Sequence, residues 1–432
     1  MSEWTKQPIK ELLDGQWPGE WGSESQLGSP PVVVYRSTDL DDAGHLLEDE
    51  GVYRSIPPSK FKAKRLVAGD ILIEASGGAP DRPVGRAALF SALRGEAAIG
   101  ANFLRTLRPK KAVCSSFLRW ALVALQRQSA IWRYQQQTTG MSNLKVSDYL
   151  NHRIDVPPLP QQRQIAEILS TVDEAIEQTE ALIAKCQQIK AGLMQDLFTR
   201  GVTPDGHLRP TSAQAPHLYK ESPLGWIPKE WSAELLDRLS LRGSGHTPNK
   251  NQPDFWNGGI KWVSLADSWR LDRLYISETD KEISQLGIEN SSAVLHPPGI
   301  VVLSRDAGVG KSAITTCSMA VSQHFMCWRC GPQLDNHYLY YWLQYRKREF
   351  ENIATGSTIP TIGLRFFKYY RINVSTDIEE QRHIGSALLS ADHTIFSLET
   401  DVGKLRQQKQ GLMQDLLTGR VRVKVGEAEE QR

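Results

Sequence analysis

Gln161 to Arg200 reads QQRQIAEILSTVDEAIEQTEALIAKCQQIKAGLMQDLFTR, and 219 positions later Glu380 to Gly419 reads EQRHIGSALLSADHTIFSLETDVGKLRQQKQGLMQDLLTG. Roughly 17 of the 40 aligned positions are identical, and the GLMQDL block at Gly192–Leu197 recurs without a mismatch at Gly411–Leu416, so the chain is a duplication. In the first copy Ile165, Leu169, Val172, Ile176, Thr179, Ile183, Cys186, Lys190, Leu193 and Leu197 alternate steps of four and three, the spacing of a coiled-coil seam. The second copy repeats it from Ile384 to Leu416, with Lys409 at the step that Lys190 occupies. Neither copy has an internal proline, so both predict long uninterrupted helices.

The remaining sequence supports folded, soluble domains around these helices. With 432 residues, 40% of them apolar, and 12 Trp, 12 Tyr and 11 Phe, there is material for two to four ordinary cores. The opening MSEWTKQPIKELLDGQW lacks a basic-then-apolar leader, and the most apolar run, Phe117–Leu125, is short and contains Arg119. Neither secretion nor a membrane span is indicated. Five cysteines fit a reducing cytoplasm better than a disulfide framework. A net charge of +2 neither demands nor excludes nucleic acid, because local basic faces coexist with acidic ones.

Outward from the helices, the two flanking segments repeat each other at lower identity. Gly69–Phe90, GDILIEASGGAPDRPVGRAALF, predicts a strand running into Gly77 and Gly78 and a second strand after Gly85. Pro298–Thr315, PGIVVLSRDAGVGKSAIT, has the same order, with VGK where the first copy has VGR at Val84–Arg86. A helix over Ser115–Gln137 matches one over Asn336–Phe350, and Thr139–Gly140 matches Thr355–Gly356. The Pro/Gly/Ser-rich segment 201–229 reads as a linker. IDVPPLP, Ile154–Pro160, stiffens the approach to the first helix, whereas STDIEEQR, Ser375–Arg382, predicts a less rigid approach to the second.

PLPQQRQIAEIL (Pro158–Leu169), GLMQDLFTRG (Gly192–Gly201), TPDGHLRP (Thr203–Pro210), SPLGWIPKEW (Ser222–Trp231) and SRDAGVGKSAI (Ser304–Ile314) together make the chain resemble the DNA-specificity subunit of type I restriction-modification systems over nearly its whole length. The resemblance implies an α+β fold of two globular target-recognition domains in tandem pseudo-repeat, separated by two long helices forming an antiparallel coiled coil. On that plan residues 1–156 and 230–376 are the recognition domains, 157–200 and 377–420 the spacer helices, 201–229 the linker and 421–432 a tail. It also implies a non-catalytic chain that reads a bipartite site in double-stranded DNA and docks two methyltransferase subunits, with restriction/translocase subunits joining for cleavage. S-adenosylmethionine, ATP and magnesium then belong to partner chains, and the setting is cytoplasmic. A scaffold or regulator that has lost DNA reading, and a stand-alone DNA-acting enzyme, are the rival readings.

Physical dimensions fit this plan. Helices of about 38 residues rise roughly 57 Å, more than the roughly 34 Å of one DNA turn. If opposed helices place Ile165 against Leu416, Lys190 falls beside Asp392 and Lys409 beside Asp173, pairs expected to set register as polar seam residues do.

Apparent catalytic motifs fail their tests. GVGKS, Gly308–Ser312, has Arg305 where a phosphate-binding loop needs its first glycine, and AITTCSMAV after it reads as strand rather than helix. CWRC, Cys327–Cys330, lacks a second cysteine pair, and its first-half counterpart Phe103–Arg108 has no cysteine, so no metal is expected. DNA contacts are instead expected from polar and basic residues on the repeated loops: Arg82 and Arg86 in the first half, then His246, Thr247, Lys250, Arg305, Lys311 and Arg365. Trp256, Trp262 and Trp269 read as core residues rather than stacking platforms.

Overall fold

The computed structural model describes residues 3–24, 31–77, 82–93, 95, 97–138, 140–356 and 360–424. Gly78, Thr139 and the tail beyond Lys424 lie outside the described residues. Two compact units divide the chain, Met1–Glu180 with Thr400–Arg432, and Ala181–Glu399. Both predicted long helices are present, Leu159–Arg200 and Ile378–Leu417, and each contributes one part to each unit.

In the first unit, Thr5–Pro8 pairs antiparallel with Arg153–Val156, closing the globular part at the foot of the first long helix. A four-stranded antiparallel sheet follows in the order Leu13–Pro18, Leu104–Pro109, Ile71–Glu74, Ala87–Leu89. The ILIE strand is buried on both faces because its side chains alternate between two cores. Ile71 and Ile73 join Phe117, Leu118 and Leu122 of the helix Ser115–Gln126, whereas Leu72 joins Val33, Tyr35 and Leu104. A second sheet contains Val32–Tyr35 paired parallel with Ala98–Gly100.

The second unit repeats this plan. Trp231–Leu235 pairs with Arg371–Ser375, and the main sheet runs Ser240–Ser244, Phe325–Cys330, Val301–Ser304, Ser312–Thr315, Tyr275–Ile276. Val301 and Leu303 face the helix Asn336–Tyr345, while Val302 faces Met319 and Phe325 on the other side. The parallel pair is again present, Trp256–Val263 against Ala320–Val321.

Two local expectations, both on helix extent, are corrected. The helix expected over Ser115–Gln137 stops at Gln126, because GlnArgGln–Ser offers no apolar residue at the helical step; a 3-10 turn Ser129–Tyr134 and a strand Gln135–Thr138 follow. The helix expected over Asn336–Phe350 is two, Asn336–Tyr345 and Lys347–Ile353. The approach to the second long helix is held by hydrogen bonds where the first has prolines. Ser375 Oγ donates to Glu380 Oε2 at 2.7 Å, and Gln381 Nε2 donates to Ser375 O at 2.9 Å while its Oε1 accepts from Asp335 N at 3.0 Å. Gln162 has the same role in the first unit, accepting from Cys114 N and donating to Pro157 O.

Within each unit the helices pair antiparallel. In the first, Asp173 meets Lys409 while Glu180 meets Arg406; in the second, Lys190 meets Asp392 while Val202 N meets Glu380. Among the described residues, no helix is long and apolar enough to cross a membrane.

Candidate nucleic-acid interface and the helix pairs beneath it

The SRDAGVGK loop of the second unit leaves the strand Val301–Ser304 and turns through Ala307, Gly308 and Gly310, all at positive φ. Gly310 packs against Lys347, where a Cβ would come within 2.9 Å of its side chain, so glycine is required for the close approach. Arg305 Nε lies 3.3 Å from Asp306 Oδ1, and His324 Nδ1 lies 2.7 Å from Asp306 Oδ2. Lys311 Nζ donates to the Ser268 carbonyl at 3.2 Å. The loop is thus tied to its neighbours by its own charged residues.

Beside it opens a cleft of about 670 Å³ that brings together Thr247, Lys250, Trp256, Lys281 and His324. Thr247 Oγ1 donates to Gln323 Oε1 at 2.6 Å, while His246 is exposed and its carbonyl accepts from Trp262 Nε1. Lysines, an imidazole and a hydroxyl around a concave surface suit phosphate oxygens and base edges. Arg365 stands apart, exposed in a separate cleft of about 540 Å³ with Arg346, Phe366 and Tyr369. Lys281 escaped the sequence reading because it sits on no repeated glycine element.

Arg86 is a correction. Only 8% exposed, it lies under the first unit's surface, where Nε and Nη2 each meet a Glu74 oxygen at 2.9 Å, Nη2 reaches Ser37 O at 2.9 Å and Nη1 reaches Leu40 O. A buried guanidinium persists only with its donors paired, and this pairing takes it away from DNA. Arg82 is exposed, 3.5 Å from Asp42. Trp269 is a correction in the other sense: Trp262 is buried, but Trp269 is 58% exposed, with Arg270 and Arg273 guanidinium groups 4.2 and 5.8 Å from its ring.

Arg86 and Lys311 brace equivalent turns. In each half a buried aspartate accepts the backbone N–H three residues before it, Arg36 N to Asp39 and Ser264 N to Asp267. The residue after that aspartate, Leu40 or Ser268, offers its carbonyl to Arg86 or Lys311. Four residues further on, Gly44 and Asp272 are both left-handed, at φ 95° and 63°.

Under these domains lie the two lysine–aspartate pairs. Lys409 meets Asp173 with both side chains almost wholly buried, and its Nζ is 4.6 Å from the Trp120 ring centroid. Lys190 meets Asp392 with 20% and 24% of the side chains exposed, its Nζ 5.4 Å from the Tyr341 ring centroid. Trp120 and Tyr341 occupy matching positions on the equivalent helices Ser115–Gln126 and Asn336–Tyr345. Burial pushes the Asp173 carboxyl up, but hydrogen bonds from His45 and Lys409 outweigh it and hold the group below the usual carboxylate range.

Two α+β domains, each seated on an antiparallel helix pair and offering basic surface loops, define a modular two-domain scaffold. The type I restriction modification DNA specificity domain matches twice, over residues 1–188 and 228–404, and the chain belongs to that family. DNA sequence recognition is its function. Among curated relatives, the type I restriction enzyme MjaVIII specificity subunit of Methanocaldococcus jannaschii is 25% identical over 70% of this chain and 69% of its own. The MjaX specificity subunit of the same organism is 23% identical over 98% and 94%. Among solved structures, the type I restriction-modification S subunit from M. genitalium has the same fold, with a TM-score of 0.59 at 14% identity over 96% of both chains. A structure from work on complex assembly and conformational transition of the type I system gives 0.55 at 18% identity, over 98% of this chain and 99% of the other.

Proposed function

We propose that this chain is the non-catalytic reader of a cytoplasmic type I complex, in which each globular domain recognises one half of a bipartite site in double-stranded DNA. The paired helices carry two methyltransferase subunits, and restriction/translocase subunits join for cleavage. The observation that carries this reading is the duplication itself: two domains of one topology, each fixed to its helix pair through an equivalent lysine, aspartate and aromatic ring. S-adenosylmethionine is then used by the methyltransferases, and ATP with magnesium by the translocase.

In the second domain, Thr247, Lys250, Arg305, Lys311 and Arg365, with His246 at the rim, supply phosphate and base contacts, and Arg82 does so in the first. Phosphate contacts make affinity salt-dependent, while base contacts set sequence. The test is a domain exchange. Replacing residues 1–156 by the corresponding domain of a relative, in the assembled methyltransferase, is expected to change one half of the methylated sequence when modified bases are mapped in cells. A change in both halves would overturn modular reading.

A further inference from the structure

The turn braced by Arg86 ends in His45, which makes contacts unlike any in the equivalent turn of the second unit. Its Nε2 lies 2.7 Å from Asp173 Oδ2 on the first long helix, and its Nδ1 lies 2.8 Å from Asp41 Oδ2 and 3.0 Å from Glu177 Oε1. Asp41 Oδ1 also accepts the backbone N–H groups of Ala43, Gly44 and His45 at 2.8–2.9 Å, so the turn is preformed around its own carboxylate. The groups facing this point come from four elements: Asp41 from the turn, Arg119 from the helix Ser115–Gln126, Asp173 and Glu177 from the first long helix, and Lys409 from the second. Three carboxylates against Arg119 and Lys409 leave a charge deficit that a protonated imidazole fills.

The corresponding residue in the second unit is Arg273. It is exposed, lies against the Trp269 ring, and makes no ion pair among the described residues. Asp392 receives the Tyr341 hydroxyl at 2.8 Å instead of a cation from the turn. Among the described residues, the ionic tie between this turn and a long helix is therefore confined to the first unit, and Asp272 of the second turn pairs instead with Lys347 on the helix Lys347–Ile353.

We propose that His45 is a positioning residue: by joining the 40–46 turn to Asp173 and Glu177 it locks the first recognition domain onto its helix pair, and this lock sets how strictly the spacing between DNA half-sites is enforced. The inference rests on the bipartite reading above. Hydrogen bonds donated to Asp173 first, then to Asp41, raise the imidazole pKa to about 9, against an ordinary 6.5. A raised folded-state pKa stabilises fully below 6.5 and is lost as pH rises through about 9. The lock is thus closed at neutral pH and opens on the alkaline side.

The test uses the full chain assembled with its methyltransferase subunits, and anisotropy titrations on duplexes with native spacing or one base pair more or less. A wild-type preference for native spacing of about tenfold or more is expected to fall below about threefold in His45→Gln and to return in His45→Lys, which keeps the cation. In the wild type the preference should decay as pH passes about 9, while His45→Lys holds it to higher pH. Hydrogen exchange at Ala43, Gly44 and His45 should quicken wherever the preference falls. A His45→Gln complex that keeps wild-type spacing preference overturns the proposal, as does a wild-type preference constant from pH 7 to 10. If the glutamine variant does not fold, a folded His45→Lys complex without spacing preference overturns it equally. Wild-type complex without any sequence-specific binding would overturn the underlying functional reading instead.

Discussion

Asp173 and Asp392 stand at the same step of a duplicated helix, each facing a seam lysine of the opposing helix with an aromatic ring beside it. Around this shared pattern the two surroundings have diverged. Asp173 is buried and draws in Lys409, His45 and Arg119, cations from three separate elements. Asp392 is partly exposed and takes one lysine and one phenol. The same lysine–aspartate juxtaposition is therefore an ionic cluster in one unit and a single ion pair with one phenol in the other. Duplication preserves the lysine, aspartate and aromatic ring at this step and frees what surrounds them.

The largest expected effect comes from removing the carboxylate. Asp173→Asn removes the carboxylate that buried Lys409 and Arg119 share, and about 3–5 kcal/mol should be lost from the first unit. Asp392→Asn keeps a hydrogen-bond partner for Tyr341 in a partly solvated place and should cost the second unit only about 1 kcal/mol. Urea titrations followed by hydrogen exchange, with residues 159–180 and 181–200 scored separately, measure both. Equal losses would break the comparison.

The turn braces come next. Arg86→Gln strands Glu74 in the interior and should cost about 3 kcal/mol, whereas Lys311→Gln removes one half-buried hydrogen bond worth about 1 kcal/mol. Thermal unfolding measures these losses, and DNA titration of the folded protein adds a second reading. If Arg86→Gln left stability unchanged and weakened DNA binding, the residue would be a DNA contact rather than a brace.

What was legible in the sequence follows from which interactions are periodic. A heptad seam lets residues be counted across two helices, so the juxtaposition of Lys190 with Asp392 and Lys409 with Asp173 could be written down before any coordinates. The two-strand element was legible because ILIE and IVVL are apolar runs bounded by glycine. Arg86 was misread because its partners, Glu74 and the carbonyls of Ser37 and Leu40, are brought together by sheet pairing that no local pattern announces. Trp269 was misread for a related reason: it lies at the end of the 3-10 turn Leu265–Arg270 and precedes left-handed Asp272 and Leu274, where neither helical nor strand alternation tells inside from outside.

The smallest contrast concerns the helix ends, where Gly201 and Gly419 close the two long helices in left-handed backbone, at φ 64° and 70°. Each faces the tryptophan that opens a globular domain, Trp231 or Trp4. Trp231 Nε1 donates to Glu380 Oε2 at 3.1 Å, and Glu380 also accepts from Val202 N and Arg209, so the Gly201 turn is packed among buried polar groups. Trp4 Nε1 donates to Gln161 Oε1 at 2.9 Å, the position equivalent to Glu380 but neutral. A Cβ at Gly201 would overlap Glu380 Oε1 and come within 2.7 Å of Trp231, while at Gly419 its nearest neighbour is Trp4 at 3.2 Å. Gly419→Ala should therefore cost little beyond the left-handed penalty, about 1 kcal/mol, and Gly201→Ala about 2 kcal/mol because the glutamate cluster must also yield. Melting of the two variants ranks them directly. Should Gly419→Ala prove the costlier, backbone strain rather than the Glu380 cluster would govern how these helices end, and the two ends would be equivalent where the two aspartate sites are not.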